Sequence, residues 1–150
     1  MSLTRSLKKT VLKAEIVLGL ASARMLIALV PFRWWKHRIG VIGSDAELPA
    51  ERLTPMQRKQ AGDIGRIIKR IARQQKFQAV CFPQAITGRW VLGRRGIPSQ
   101  IVIGTRPDKD SGGIAMHAWL EVGDLIVTGQ DEYAEYQAFK RRSPAVSKGR

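Results

Sequence analysis

Val80-Cys81-Phe82-Pro83-Gln84-Ala85-Ile86-Thr87-Gly88-Arg89-Trp90-Val91-Leu92 is the stretch on which the reading of this chain turns. It holds the single cysteine of the 150 residues. Pro83 fits the first turn of a helix, where a missing N–H breaks no bond, and the apolar spacing that follows is helical until Gly96 and Pro98 supply a stop. A helix opening at Cys81 sets the thiol at its N-terminal end. That placement matters because sulfur attacks as the anion, and the positive end of a helix favours an anion.

Toward the C-terminus the pattern changes to strands. Ser99 to Thr105 is apolar and β-branched, and Pro107 to Gly113 reads as a turn or mobile loop. Ala115 to Val122 and Leu125 to Thr128 read as two strands joined by Gly123-Asp124, a tight hairpin signal. The first of them carries His117. An imidazole on a strand packed against the helix start would take the thiol proton and later return one to a leaving amine. Cys81 and His117 are therefore the candidate nucleophile and base, with backbone N–H groups at the helix start as the natural oxyanion donors. The bland alternative is a small buried cysteine and a structural histidine. One Cys and two His without close ligand spacing make a poor zinc set, so no metal and no cofactor is expected.

Toward the N-terminus the spacing is helical. Met56 to Gln75 places Ile64, Ile67, Ile68 and Ile71 on one face and Arg66, Lys69, Arg70 and Arg73 on the other, an amphipathic helix. Before it, residues 40 to 55 read as a connecting loop, with Gly43, Ser44, Pro49 and Pro55 among few apolar residues. From Lys8 to Val30, Leu12, Ile16, Leu20, Ala23, Ile27 and Val30 recur at helical spacing, closed by Pro31. Val17, Leu18 and Met25 make this helix apolar over a wide arc, which predicts packing on that side as well. The fold class is α+β, N-terminal helices packed on a small antiparallel sheet. Three segments follow: an apolar helix over 1–40 packed on or docking the core, a core over 56–139, and a basic tail over 140–150 that reads as disordered.

The formal net charge is +14, concentrated near the start, in the central helix and at the end. Such runs suit nucleic acid, anionic lipid, an acidic peptide or protein, or plain solubility. No aromatic residues are interleaved among the central charges for base stacking, so no nucleic acid is expected. A lone cysteine excludes an intramolecular disulfide, and cytoplasm is the default compartment. Glu15 and Arg24 interrupt the apolar stretch from Ala14 to Phe32, so a membrane span is not expected. Contact with a membrane surface stays open, because basic residues flank the stretch and Trp34 and Trp35 suit an interface.

Four blocks occur in order: Val80-Cys81-Phe82-Pro83-Gln84-Ala85, Arg94-Arg95-Gly96-Ile97-Pro98, Ile101-Val102-Ile103-Gly104, and His117-Ala118-Trp119-Leu120-Glu121-Val122. Together they resemble the transglutaminase-like leader peptidases of lasso-peptide biosynthesis, the stand-alone peptidase half of the B protein, also described by the C-terminal domain of the microcin-processing protein. The likeness covers Gln75 to Thr128, and Pro31-Phe32-Arg33-Trp34-Trp35 also looks like the family's opening segment. It implies a papain-like or transglutaminase-like core with Cys81 as nucleophile and His117 as general base. The implied reaction removes the leader from a ribosomally made precursor peptide, exposing an amine that a separate, ATP-using lasso cyclase joins to an acidic side chain. No segment here looks like a leader-binding domain, so a leader-binding companion protein is expected as a partner. The family also has an Asp on the strand after the His. The aligned position falls at Thr128-Gly129-Gln130, with Asp131 just beyond. Asp131 is the choice for the third catalytic residue, and Gln130 could orient the imidazole through its side-chain oxygen instead. If neither reaches His117, a Cys81–His117 dyad remains. A different class of reading is a non-catalytic basic binding module for nucleic acid or a membrane surface, and transfer to an amine in place of water is a third.

Overall fold

Apolar residues at helical spacing become helices in the computed structural model, which describes residues 2–35, 53–75, 80–108, 110, 112–131 and 133–138. The elements run α1 (Ser2–Leu29), α2 (Phe32–Trp35), α3 (Pro55–Gln74), α4 (Cys81–Gly93), β1 (Gln100–Pro107), β2 (Ile114–Val122) and β3 (Leu125–Thr128). A 3-10 turn (Tyr133–Glu135) and a two-residue strand β4 (Gln137–Ala138) complete them. The strands form one antiparallel sheet in the order β3-β2-β1-β4. Helices on a small antiparallel sheet make the fold α+β. The loop and the basic tail read from the sequence lie largely or wholly outside the described residues.

Helix α1 buries Ile16, Leu20 and Ala23 completely, packing on α4 and α3. Its other side differs from expectation: Leu18 and Met25 are exposed, as are Val11 and Leu29, and Trp34 beyond it is 64% exposed. Two helices cover one arc of a cylinder, and nothing among the described residues covers the opposite arc. Glu15, read from the sequence as an interruption, has a use: its carboxylate accepts from Arg95 at 2.7 Å and faces Arg94 Nε at 2.9 Å. These contacts join the middle of α1 to the end of α4.

Helix α3 begins with a capping box. Thr54 Oγ1 accepts from the Gln57 N–H at 3.1 Å, and Gln57 Oε1 accepts from the Thr54 N–H at 2.9 Å, satisfying two donors that a helix start leaves open. Ile64, Ile68 and Ile71 are buried as read, and Ile67 packs on the core's edge. Gly65 lies so close to β3 that a Cβ there would collide with the Val127 carbonyl. The helix therefore rests on the hairpin at backbone contact, and its Arg58 pairs with Asp124 in the hairpin turn.

Helix α4 ends where the sequence places the stop. Gly96 adopts φ +65°, and the Ile97 N–H returns to the Leu92 carbonyl at 3.1 Å. In the sheet, β1 pairs with β2 in unbroken register from Gln100↔Glu121 to Pro107↔Ile114. Between β2 and β3 the register shifts at Leu120/Glu121, and the last pair is Leu120↔Thr128. His117 thus lies on a part of β2 that runs past the end of β3.

Candidate active site

Cys81 is the first residue of α4, after Val80 in an extended N-cap conformation with no side-chain cap bond. No acidic residue occupies the first turn, so the positive end of the helix is not neutralised from within. The thiol is half-buried. Pro83 is buried in the first turn, as the sequence suggests, and Ala85, Ile86, Val91 and Leu92 pin the helix to the core.

His117 is buried on β2, and two aromatic rings pack against its imidazole. Trp119 stacks at 6.0 Å between centroids with planes 27° apart, and Tyr136 is tilted against it at 5.1 Å. The Trp119 indole N–H donates to Glu121 Oε1 at 2.7 Å, and Gln100 Nε2 donates to Glu121 Oε2 at 2.9 Å, so Trp119 is itself tied down. Gly104, opposite His117 on β1, has no side chain to spare room for: a Cβ there would lie 2.8 Å from the Trp119 ring.

The decisive contact is at the other end of the ring. After Thr128 the chain turns through Gly129 at φ +83°, and the Gly129 carbonyl sits 3.0 Å from His117 Nε2. A carbonyl accepts and cannot donate, so the hydrogen of this bond belongs to Nε2. In the neutral ring Nδ1 is then the nitrogen with a lone pair, the atom able to take up a proton.

Cys81 and His117 line one cleft of about 480 Å³, together with Gln84, Met116, Gln130 and Asp131 and, from α3, Lys69 and Arg73. A larger cavity of about 610 Å³ on another side of α4, lined by Arg89, Trp90 and Ile97, contains neither the thiol nor the imidazole. Asp131, the sequence's choice for a third residue, stands in the cleft with its carboxylate on Lys69 Nζ at 2.5 Å and 3.8 Å from Arg73. The hydrogen bond from Lys69, aided by the charges of Lys69 and Arg73, holds the Asp131 carboxyl below the usual carboxylate range. Gln130 donates its amide to the Ile126 and Val127 carbonyls at 2.9 and 3.0 Å, which pins the turn to β3. Asp124 is in the hairpin turn with Arg58.

The sequence does not show the Gly129 carbonyl or the Tyr136 and Trp119 rings against His117, nor that Lys69 and Arg73 line the same cleft as Cys81. A main-chain carbonyl leaves no side-chain signature, and a glycine directly before Gln130 was the one available sign. Among the described residues, no group of three or more His, Cys, Asp or Glu side chains is placed to hold a metal ion, and no helix is long and apolar enough to cross a membrane.

A thiol at a helix start sharing a cleft with a sheet-borne imidazole defines a class of α+β proteins equipped with a cysteine–histidine cleft. Within that class the chain belongs to the transglutaminase-like superfamily, whose sequence profile matches residues 26–141. That superfamily includes cysteine peptidases. No match was found among curated proteins or among solved structures.

Proposed function

We propose that this chain is a cysteine peptidase that removes the leader from a ribosomally made lasso-peptide precursor. The observation that carries the chemistry is the shared cleft, with Cys81 at the start of α4 and a His117 whose Nε2 is engaged by the Gly129 carbonyl. In this reading Nδ1 of His117 takes the Cys81 proton, and the sulfur adds to the peptide carbonyl. The tetrahedral oxyanion forms beside the N-terminal end of α4, where backbone dipoles favour negative charge. Collapse expels the core's amine, which leaves with the proton from His117. Water, losing its proton to the same imidazole, then hydrolyses the thioester and restores the thiol.

Asp131 is not needed as a direct partner of the ring in this scheme. Its ion pairs with Lys69 and Arg73 tie the segment after Gly129 to α3, so it acts as a positioning residue for the carbonyl that orients His117. The lasso-specific part of the proposal rests on the four sequence blocks, which also supply its partners: a leader-binding companion that delivers the precursor and a cyclase that takes the product.

The test is incubation of a leader–core peptide with the purified chain, with and without the companion, analysed by mass spectrometry. Cleavage at one bond that disappears in Cys81→Ala is the expected result. Equal cleavage by Cys81→Ala would overturn the mechanism. Absence of cleavage together with a Cys81 that resists alkylation in the folded protein would favour the non-catalytic basic module.

A further inference from the structure

Lys69 and Arg73 lie four residues apart on α3, which puts them on one face of the helix. Both line the cleft that contains Cys81. The sequence gives them as part of a solvated basic face; the structure turns Lys69 inward, leaving its side chain 33% exposed. Of the ten cleft-lining residues two are cations, and one, Asp131, is an anion. The start of α4 adds positive potential, with no acidic side chain in its first turn. Lys69 is committed to Asp131 at 2.5 Å, whereas Arg73 is 3.8 Å from the same carboxylate and remains 71% exposed. The Asp131 carboxylate shows that a carboxylate fits against this pair, and among the described residues the Arg73 guanidinium has donors left for another.

From this geometry we infer that the cleft selects a substrate carrying a carboxylate close to the bond presented to Cys81, with Arg73 as the recognition residue and Lys69 supporting it. The inference rests on the reading of the cleft as the place where Cys81 attacks. Its chemistry is a charge-assisted, forked hydrogen bond from guanidinium to carboxylate, which a lysine or a neutral side chain matches poorly.

The single thiol allows a test that needs no turnover. Iodoacetate and iodoacetamide are close in size and react alike, the thiolate displacing iodide, but iodoacetate carries the carboxylate. The ratio of their rates at Cys81 should exceed the ratio for 2-mercaptoethanol by about fivefold, the order expected of one partly exposed cation near the sulfur. The excess should shrink in Arg73→Gln, persist in part in Arg73→Lys, and diminish in about 1 M salt, where screening shortens to about 3 Å. Because both probes report on one sulfur in one preparation, general changes in reactivity cancel in the ratio. A wild-type ratio equal to that of 2-mercaptoethanol overturns the inference, as does a raised ratio that Arg73→Gln leaves untouched. A thiol inert to both probes overturns the inference and the peptidase reading together. Peptides differing by Glu or Gln beside the cleaved bond separate the two. Equal cleavage of both, abolished by Cys81→Ala, removes the anion preference and keeps the peptidase. A raised alkylation ratio without cleavage of either peptide supports the anion site and removes the peptidase.

Discussion

Gly129 takes φ +83°, and a Cβ on it would lie 2.8 Å from Trp119 Cβ and 3.1 Å from His117 Nε2. An alanine there strains a left-handed backbone and pushes the turn off the ring, carrying away the carbonyl that accepts from Nε2. Gly96 makes the comparison fair. It also has positive φ, +65°, but a Cβ on it meets nothing within 4 Å. Gly96→Ala should therefore cost only conformational energy, about 1 kcal/mol, and leave cleavage unchanged. Gly129→Ala should cost about 2 kcal/mol or more by urea denaturation and lower precursor cleavage more than about tenfold, because strain and a misplaced imidazole add. Equal effects of the two substitutions would mean that the carbonyl does not orient His117. At this scale the sequence exposes what residue type exposes. Cys81 is unique and His117 lies in a recognisable block, so both could be named. The partner of the ring is main chain, and an alignment that looks for an aspartate at Thr128-Gly129-Gln130 passes over it.

Among elements, the contact of α1 with α4 has an electrostatic fastening as well as an apolar one. Glu15 receives a hydrogen bond from Arg95 and lies beside Arg94, and these hold its carboxyl below the usual range. A carboxyl lowered in the folded state binds its proton more readily when unfolded, so the ion pair adds stability above the unfolded value near 4.5. That stability is lost as pH falls through the folded value, below 4.5. Glu15→Gln should remove up to about 1 kcal/mol near neutral pH, since the pair is partly solvated, and the deficit should close on acidification. A deficit that persists unchanged at pH about 3 would assign the effect to packing instead. Much at this scale was readable. The spacing of Ile16, Leu20 and Ala23, and of Ile64, Ile68 and Ile71, locates α1 and α3 because each has a buried face with the helical period, whereas β2 and β3, buried in continuous runs, are legible from their apolar character and the Gly123-Asp124 turn between them. Strand β4 was not readable: two residues carry no period, and Gln137–Ala138 is a strand only because Gly104 and Thr105 of β1 are there to pair with it.

For the molecule as a whole, composition shows an excess of positive charge but not its placement. Arg58 reaches Asp124, Lys69 and Arg73 reach Asp131, Arg94 and Arg95 reach Glu15, and Arg106 reaches Glu135, so most of these pairs join segments far apart in sequence. A linear reading sees solvated runs because each partner lies elsewhere in the chain. The same holds for the apolar N-terminal helix, which the sequence allows either to pack on the core or to offer its apolar arc to a partner or to lipid. Its buried face argues for the first. Ile16, Leu20 and Ala23 belong to the same cluster as Ile86 and Leu92 of α4 and Leu120 of β2, and Gly19 approaches Thr87 so closely that a Cβ would lie 2.7 Å from its methyl. Helix α4 in turn begins with Cys81. Detaching α1 would strip one side of the helix that presents the thiol, and large apolar side chains left facing water each forfeit about 2 kcal/mol. The expectation is one cooperative transition: in urea, helical circular dichroism and the alkylation rate of Cys81 should change with coincident midpoints. Midpoints that separate, with ellipticity lost before the thiol's environment changes, would make α1 a detachable arm resting on a core that stands without it.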